Sequence, residues 1–393
     1  MKPLTVLIAV DKFKGSLTAS EVAHWLGTGL AAGSGRRPVT CRTLPLADGG
    51  DGSVQAALDA GFAPLTAPIE GPTGEPADAT IAFDGSTAVV EVATTCGLQM
   101  LPPGKPAPLA SSSAGFGQAI RAALERGPRR IVLALGGSAT TDGGAGMLAA
   151  LGVRFLDASG NPLAPAGGTL RDIARIDTAG LIPLDGVELV AANDVRNPLL
   201  GPDGAAAVYG PQKGATPADV RLLDAGLANL ARRLDEAGWP GTASAEAAGA
   251  GSAGGLGYAA LLLGARMVSG ADFFLDLLGF DQALQGCDLV ITGEGKMDEQ
   301  TLSGKLPLVV ARRSAPVPVI AVVGHNALPT DTLPEHHISA IHALSAMTDQ
   351  DTAADPDLSA ELLVRAGRHI TETLPIAAPT VQAATGGEDT RHA

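Results

Sequence analysis

Ile131-Val132-Leu133-Ala134-Leu135 runs directly into Gly136-Gly137-Ser138-Ala139-Thr140-Thr141-Asp142-Gly143-Gly144, and from there into Ala145-Gly146-Met147-Leu148-Ala149-Ala150-Leu151. The first segment is a continuous apolar run, the pattern of a strand buried on both faces, and the last is an apolar helix. The loop between them, rich in Gly, Ser and Thr at the carboxyl end of a strand, suits an anion. Glycine lets the backbone turn and approach a ligand closely, and the helix offers unpaired N–H groups and the positive end of its dipole. Gly136, Gly137, Ser138, Ala139 and Thr140 are therefore predicted to bind the phosphates of a nucleotide. The pattern returns where Asp288-Leu289-Val290-Ile291-Thr292 leads into Gly293-Glu294-Gly295-Lys296-Met297-Asp298 and a second apolar helix. Gly293 and Gly295 join the phosphate-binding candidates. Two such units predict an α/β protein that handles phosphate.

Outward from these loops, the chain ends share one texture and the middle has another. Val6 to Val10 reads as a strand, and Thr18-Ala19-Ser20-Glu21 as a capping box opening a helix to about residue 32. Val39 to Leu46 is a second strand, closed by Ala47-Asp48-Gly49-Gly50-Asp51-Gly52 and a helix to about residue 60. Segments 288–292 and 317–323 carry the Val/Ile runs of buried parallel strands. Between the ends, Pro64, Pro68, Pro72 and Pro76 punctuate short alternating stretches that suggest hairpins. Thr216-Pro217-Ala218-Asp219 opens a long helix. The expected architecture is a Rossmann-like parallel-sheet domain built from both chain ends, residues 1–62 and 285–378, interrupted by an inserted mixed α/β domain, 63–284. A polar, Gly-rich tail, 379–393, is expected to be disordered.

At 393 residues, two domains are the default expectation. The formal charge of −14 repels nucleic acids and anionic membranes, so a small anionic substrate must be captured by local positive charge. Cys41, Cys96 and Cys287 lie far apart, with neither disulfide framework nor metal spacing, which fits a reducing compartment. The apolar start is cut off by Asp11-Lys12 and reads as a strand rather than a signal peptide, and no uninterrupted apolar run is long enough to span a membrane. A cytoplasmic enzyme follows, and a homo-oligomer is compatible with the sequence.

Charge placement narrows the chemistry. Of 27 basic residues only seven are lysines, and five of these (Lys12, Lys14, Lys213, Lys296 and Lys305) lie in Gly- or Ser-containing loops. A compact ammonium on a flexible stem suits a phosphate that moves during reaction. Lys213 and Lys296 are the predicted stabilisers of the transferring group. Lys14 and Arg196, with Asp48, are the candidates for holding an acidic substrate. Carboxylates gather at the same strand ends: Asp11, Asp48, Asp51, Asp142, Asp194, Glu294 and Asp298. Phosphoryl transfer to a hydroxyl needs Mg²⁺ ligands and a carboxylate that accepts the alcohol proton. Asp194 is the expected proton acceptor, because no helix starts after it to give it a capping duty, and Glu294 and Asp298 are the expected metal ligands. Loop carboxylates also cap helices and shape turns, and for Asp51 and Asp142 that plainer role is the expectation.

Seven segments in order resemble the glycerate kinase family that phosphorylates D-glycerate at its 2-hydroxyl. They are Asp11-Lys12-Phe13-Lys14-Gly15-Ser16-Leu17, Ala47 to Gly52, Gly136 to Met147, Asn193-Asp194-Val195-Arg196-Asn197-Pro198-Leu199, Gly210 to Ala215, Ala253-Gly254-Gly255-Leu256-Gly257 and Ile291 to Pro307. The resemblance implies ATP and Mg²⁺, a two-domain α/β fold with the active site in the cleft, and 2-phosphoglycerate as product. Two other readings stand beside it. Gly249-Ala250-Gly251-Ser252-Ala253-Gly254 matches the spacing of a dinucleotide-binding loop but follows no predicted strand, and a non-catalytic small-anion binder would explain the glycines though not the lysines and carboxylates.

Overall fold

The computed structural model describes residues 3–35, 38–299, 301–329 and 333–374; the expected tail, and the last residues before it, lie outside them. Two sheets organise the chain. Five strands from its ends form a parallel sheet in the order Ile338–Ala343, Val319–Val323, Leu289–Gly293, Leu4–Val10, Val39–Thr43. Six strands from its middle form a mixed sheet in the order Arg266–Val268, Glu188–Ala192, Arg130–Ala134, Thr87–Glu91, Pro76–Phe83, Ala63–Glu70. The first four of these are parallel, and the last two form the Pro-punctuated antiparallel hairpin.

The apolar runs form strands because both faces are covered. Val6 and Ile8 point into a core with Leu26 and Leu30 of helix Ala19–Ala32 and Leu362 and Ile370 of helix Pro356–Thr373. Leu7 and Ala9 turn the other way, into a core they share with Val89 and Val132 of the mixed sheet and Phe274 of helix Gly270–Leu277. That shared apolar layer holds the two sheets together. The mixed sheet's other face is covered by helices Ala114–Leu124 and Leu256–Leu262, in a core to which helix Pro217–Glu236 also contributes. Thr18 with Glu21 makes the capping box read from the sequence, and Thr216, read as the opening of a long helix, makes a second with Asp219.

Helix Ser53–Asp59 precedes the expected boundary at residue 62, yet it packs on strands Pro76–Phe83 and Thr87–Glu91 of the mixed sheet. Buried Glu91 fixes it there, accepting a hydrogen bond from Val54 N at 2.9 Å. The segment 249–254 follows helix Gly241–Ala245 rather than a strand, so the context of a dinucleotide-binding loop is absent. No helix among the described residues is long and apolar enough to cross a membrane. Cys41, Cys96 and Cys287 are all free.

Candidate active site

The strand ends of both sheets open onto one cavity of about 780 Å³. On the mixed-sheet side the wall is the loop Gly136–Ser138. It is locked by close backbone contacts: a Cβ on Gly136 would sit 2.4 Å from Gly50 Cα, and one on Gly137 would sit 3.0 Å from Ala93 Cβ. Gly137 also has φ +75°, a left-handed conformation that disfavours any other residue. Leu98 N donates to Gly137 O and Ala139 N to Cys96 O, both at 2.9 Å, which fixes the loop's outer edge. Among the described residues, the N–H groups of Gly136, Gly137 and Ser138 meet no acceptor. They remain available to an anion.

Lys213 stands beside this loop, almost wholly buried, and its Nζ donates to Ser138 Oγ at 2.8 Å and Thr140 O at 2.6 Å. Burial pulls its pKa down to about 8, against the pull of Cys96 and Asp142 in the other direction. Asp142 has the plainer role foreseen for it. Its carboxylate accepts from Ser113 N and Oγ, Gly144 N and Gly146 N at 2.8–3.1 Å, which ties the loop to two helix starts. Desolvation still raises its pKa, over the opposing effect of those donors.

Across the cavity the parallel sheet supplies carboxylates. Asp11 and Glu294 lie at the ends of adjacent strands, and Asp11 N donates to Gly293 O at 2.9 Å. Burial, then Asp48, pushes the Asp11 pKa up to about 8; burial pushes Glu294 up to about 7, partly offset by a 2.7 Å hydrogen bond from Thr301 Oγ1. Asp48 accepts from Gly50 N at 3.0 Å through Oδ1, and its other oxygen meets no donor among the described residues. Lys12 donates to Asp51 O and lies 3.4 Å from the Asp51 carboxylate. Burial would lower the Lys12 pKa, but Asp11, Asp51, Asp48 and Glu91 together outweigh it and raise it.

Of the residues predicted from the sequence, Gly136, Gly137, Ser138, Lys213, Lys296, Gly295, Lys14, Asp48 and Glu294 all line this cavity. The other six do not, each for a local reason. The N–H of Ala139 is committed to Cys96, and Thr140 is buried with its carbonyl on Lys213. Gly293 ends a buried strand, where a Cβ would meet Val322 O at 2.0 Å. Arg196 is exposed. Asp298 pairs with Lys296 at 3.2 Å. Asp194 does have a capping duty, only to a distant segment: it accepts from Gly270 N at 3.0 Å, at the start of helix Gly270–Leu277. Desolvation and then Asp48 raise its pKa.

The cavity also draws on residues to which the sequence reading gave no binding role: Asp11, Lys12, Asp51, Tyr209 and His325. Asp11 carried a signal, since it follows the first strand as Asp48 and Glu294 follow theirs. Tyr209 and His325 carried none. His325 reaches the site through a short parallel pairing, Lys296–Met297 with His325–Asn326, and its Nδ1 lies 3.0 Å from Ser345 Oγ.

Residues 6–375 match the model of the glycerate kinase family. The chain is 40% identical to a glycerate kinase of Bacillus subtilis over 95% of its own length and 98% of that protein's. It is 38% identical to a glycerate 2-kinase of Escherichia coli, again over 95% and 98% of the two chains. A crystal structure assigned as a glycerate kinase 2 from Salmonella typhimurium LT2 superimposes with a TM-score of 0.78 at 35% identity, covering 95% of this chain and 98% of that one. The chain belongs to the glycerate kinase family and is an enzyme.

Proposed function

We propose that this member of the glycerate kinase family transfers the γ-phosphoryl group of ATP to the 2-hydroxyl of D-glycerate, giving 2-phosphoglycerate and ADP in the cytoplasm. The observation that carries the reading is the pairing of two unlike walls across one cavity. One is a rigid anion cradle with a buried lysine; the other is a set of carboxylates. The N–H groups of Gly136, Gly137 and Ser138 hold phosphate oxygens, and Lys213, fixed by Ser138 and Thr140, faces the charge that develops on the transferring group. Lys14 and Lys296, both on the cavity wall, receive the glycerate carboxylate.

The donor chemistry fits Mg²⁺. Asp11 and Glu294 are hard oxygen donors whose raised pKa values, about 8 and about 7, reflect burial first and then the neighbouring carboxylates. No three such groups among the described residues converge to hold a metal by themselves. Phosphate oxygens would complete the shell, as is usual for Mg²⁺. Glu294 keeps its expected role, and Asp11 takes the one expected of Asp298. Bound there, the ion would neutralise phosphate charge and bridge the nucleotide to the protein. Asp48, with one oxygen fixed by Gly50 N and the other open, accepts the proton of the 2-hydroxyl, the part expected of Asp194. We also take residues 1–62 with 285–378 as one domain and 63–284 as the other, with the cavity at their junction.

Product analysis tests the reading. Enolase dehydrates 2-phosphoglycerate directly, so phosphoenolpyruvate should form from ATP, D-glycerate and this enzyme plus enolase alone. A product that enolase consumes only after a phosphoglycerate mutase is added would mean transfer to the 3-hydroxyl. Asp48→Asn should lose about 10²–10⁴ in kcat with ATP binding retained. Asp194→Asn, which keeps an acceptor for Gly270 N–H, should stay within about tenfold of the parent. The reverse ranking would return the proton to Asp194.

A further inference from the structure

The cavity is larger than a three-carbon acid needs, and its lining is chemically mixed. Lys14, His325, Ser345 and Asp351 line it with charged or hydroxylic groups. Leu98, Val195, Tyr209 and Ala253 line it with apolar surface, and Gln99 adds an amide. One of these apolar residues is tied to the anion cradle, because Leu98 N donates to Gly137 O at 2.9 Å.

Tyr209 is the one aromatic side chain of these four. It is one of only two tyrosines in a chain with 3% aromatic residues, and it is half-buried at the end of helix Ala205–Tyr209. Its hydroxyl donates to Asn197 Oδ1 at 2.7 Å, and Asn197 Nδ2 donates to Asp203 O at 2.8 Å. The Asn197 carbonyl in turn accepts from Gly251 N at 2.9 Å, two residues before Ala253. The ring is thus held from its polar tip while its body lines the cavity. Ala253 has φ 51°, a left-handed conformation that is unfavourable for an alanine and persists where its surroundings over-determine it. A pre-positioned ring and a small side chain that line the same cavity offer a slot for a flat apolar group.

We propose that this slot is the nucleobase subsite: the adenine of ATP stacks on Tyr209 between Leu98 and Ala253, with its phosphates on Gly136–Ser138 and glycerate beside Lys14 and Lys296. The proposal rests on the reading of ATP as phosphoryl donor. A purine has apolar faces to bury and polar edges for an amide such as Gln99, whereas glycerate has almost no apolar surface and would leave this wall unused.

The test separates base from phosphates, with adenosine and inorganic tripolyphosphate as inhibitors of ATP-driven glycerate turnover by the full chain. Tyr209→Ala should weaken inhibition by adenosine and raise the KM for ATP, each about tenfold, as loss of a base–aromatic stack does. Inhibition by tripolyphosphate and the KM for glycerate should stay within about twofold. Ala253→Leu, which fills the slot from the other side, should weaken adenosine in the same way, and Tyr209→Phe should retain most of the adenosine inhibition. Unchanged adenosine inhibition in both Tyr209→Ala and Ala253→Leu, or a rise confined to the KM for glycerate, would overturn the assignment. If the parent enzyme turns over no glycerate with ATP, the donor reading fails on its own. Calorimetric titration of adenosine into parent and Tyr209→Ala proteins would then decide the subsite independently.

Discussion

The two Gly-rich loops that look alike in sequence, 136–142 and 293–298, have become opposite things in the folded chain. The first is packed shut: its backbone abuts Gly50, Ala93 and Gly254, its carboxylate Asp142 takes four hydrogen bonds, and its lysine partner Lys213 is buried. The second carries Lys296 with 61% of its side chain exposed, in a 3.2 Å pair with Asp298. Glycine has a partly different use in each. It serves close backbone contact in both, at Gly136 and at Gly293, but only the first loop also needs it for a left-handed turn, at Gly137 with φ +75°. A Gly/Lys loop at a strand end therefore states that an anion is near; burial decides whether the lysine is a fixed part of the site or a solvated arm.

The largest effect that would break this contrast is at Lys213. Lys213→Met keeps the length and removes the charge, and it should cost about 10²–10³ in kcat/KM, as loss of a pre-organised cation at a transferring phosphoryl group does. The same lysine should write a pH limb. Its pKa is lowered to about 8, so it is cationic below that pH and neutral above it. In the free enzyme kcat/KM should therefore fall as pH rises through about 8. Bound phosphate favours the charged form, so the limb in kcat should lie higher. A flat kcat/KM from neutral pH to well above 8 would show that the charge of Lys213 is not used.

Much of this was legible beforehand. Apolar runs flanked by glycine located the parallel strands, and the capping box at Thr18 and the Thr216-Pro217 opening fixed two helix starts. Carboxylates and lysines at strand ends marked the cavity, since in an open α/β sheet those ends line the crevice. What the sequence hid is long-range. Asp194 seemed to have no capping duty because its helix begins at Gly270, far along the chain. Ala139 and Thr140 look like their neighbours Gly137 and Ser138 until Cys96 and Lys213 are seen to take their polar groups. Tyr209 belongs to the site through Asn197, which no local pattern reveals.

Intermediate in size is the paired substitution of one glycine from each loop. Gly137→Ala forces a left-handed φ of +75° on a residue with a Cβ and drives that atom to 3.0 Å from Ala93 Cβ. It should lower stability to denaturant by about 1–2 kcal/mol and raise the KM for ATP more than that for glycerate. Gly295→Ala meets a similar approach, 3.1 Å to Lys14 N, but from outside the left-handed region, and should cost well under half as much. Equal costs would mean that the left-handed conformation of Gly137 carries little of the penalty.

The smallest expected effect is at Lys296, and it probes the contrast most sharply. An ammonium with 61% of its side chain in water, paired with a carboxylate 3.2 Å away, interacts weakly with anything else, and salt screens what remains. Lys296→Ala should then raise the KM for glycerate by no more than about tenfold, less at high ionic strength, and leave kcat near that of the parent. The salt dependence matters as much as the size. A lysine that merely draws in an anionic substrate acts through a screened field, whereas one that grips the transferring phosphoryl group acts in a desolvated contact that salt hardly touches. If Lys296→Ala instead loses about 10² or more in kcat, independent of salt, loop 293–298 must fold over the cavity once substrates bind. The two loops would then be alike in the working enzyme and different only in its empty form.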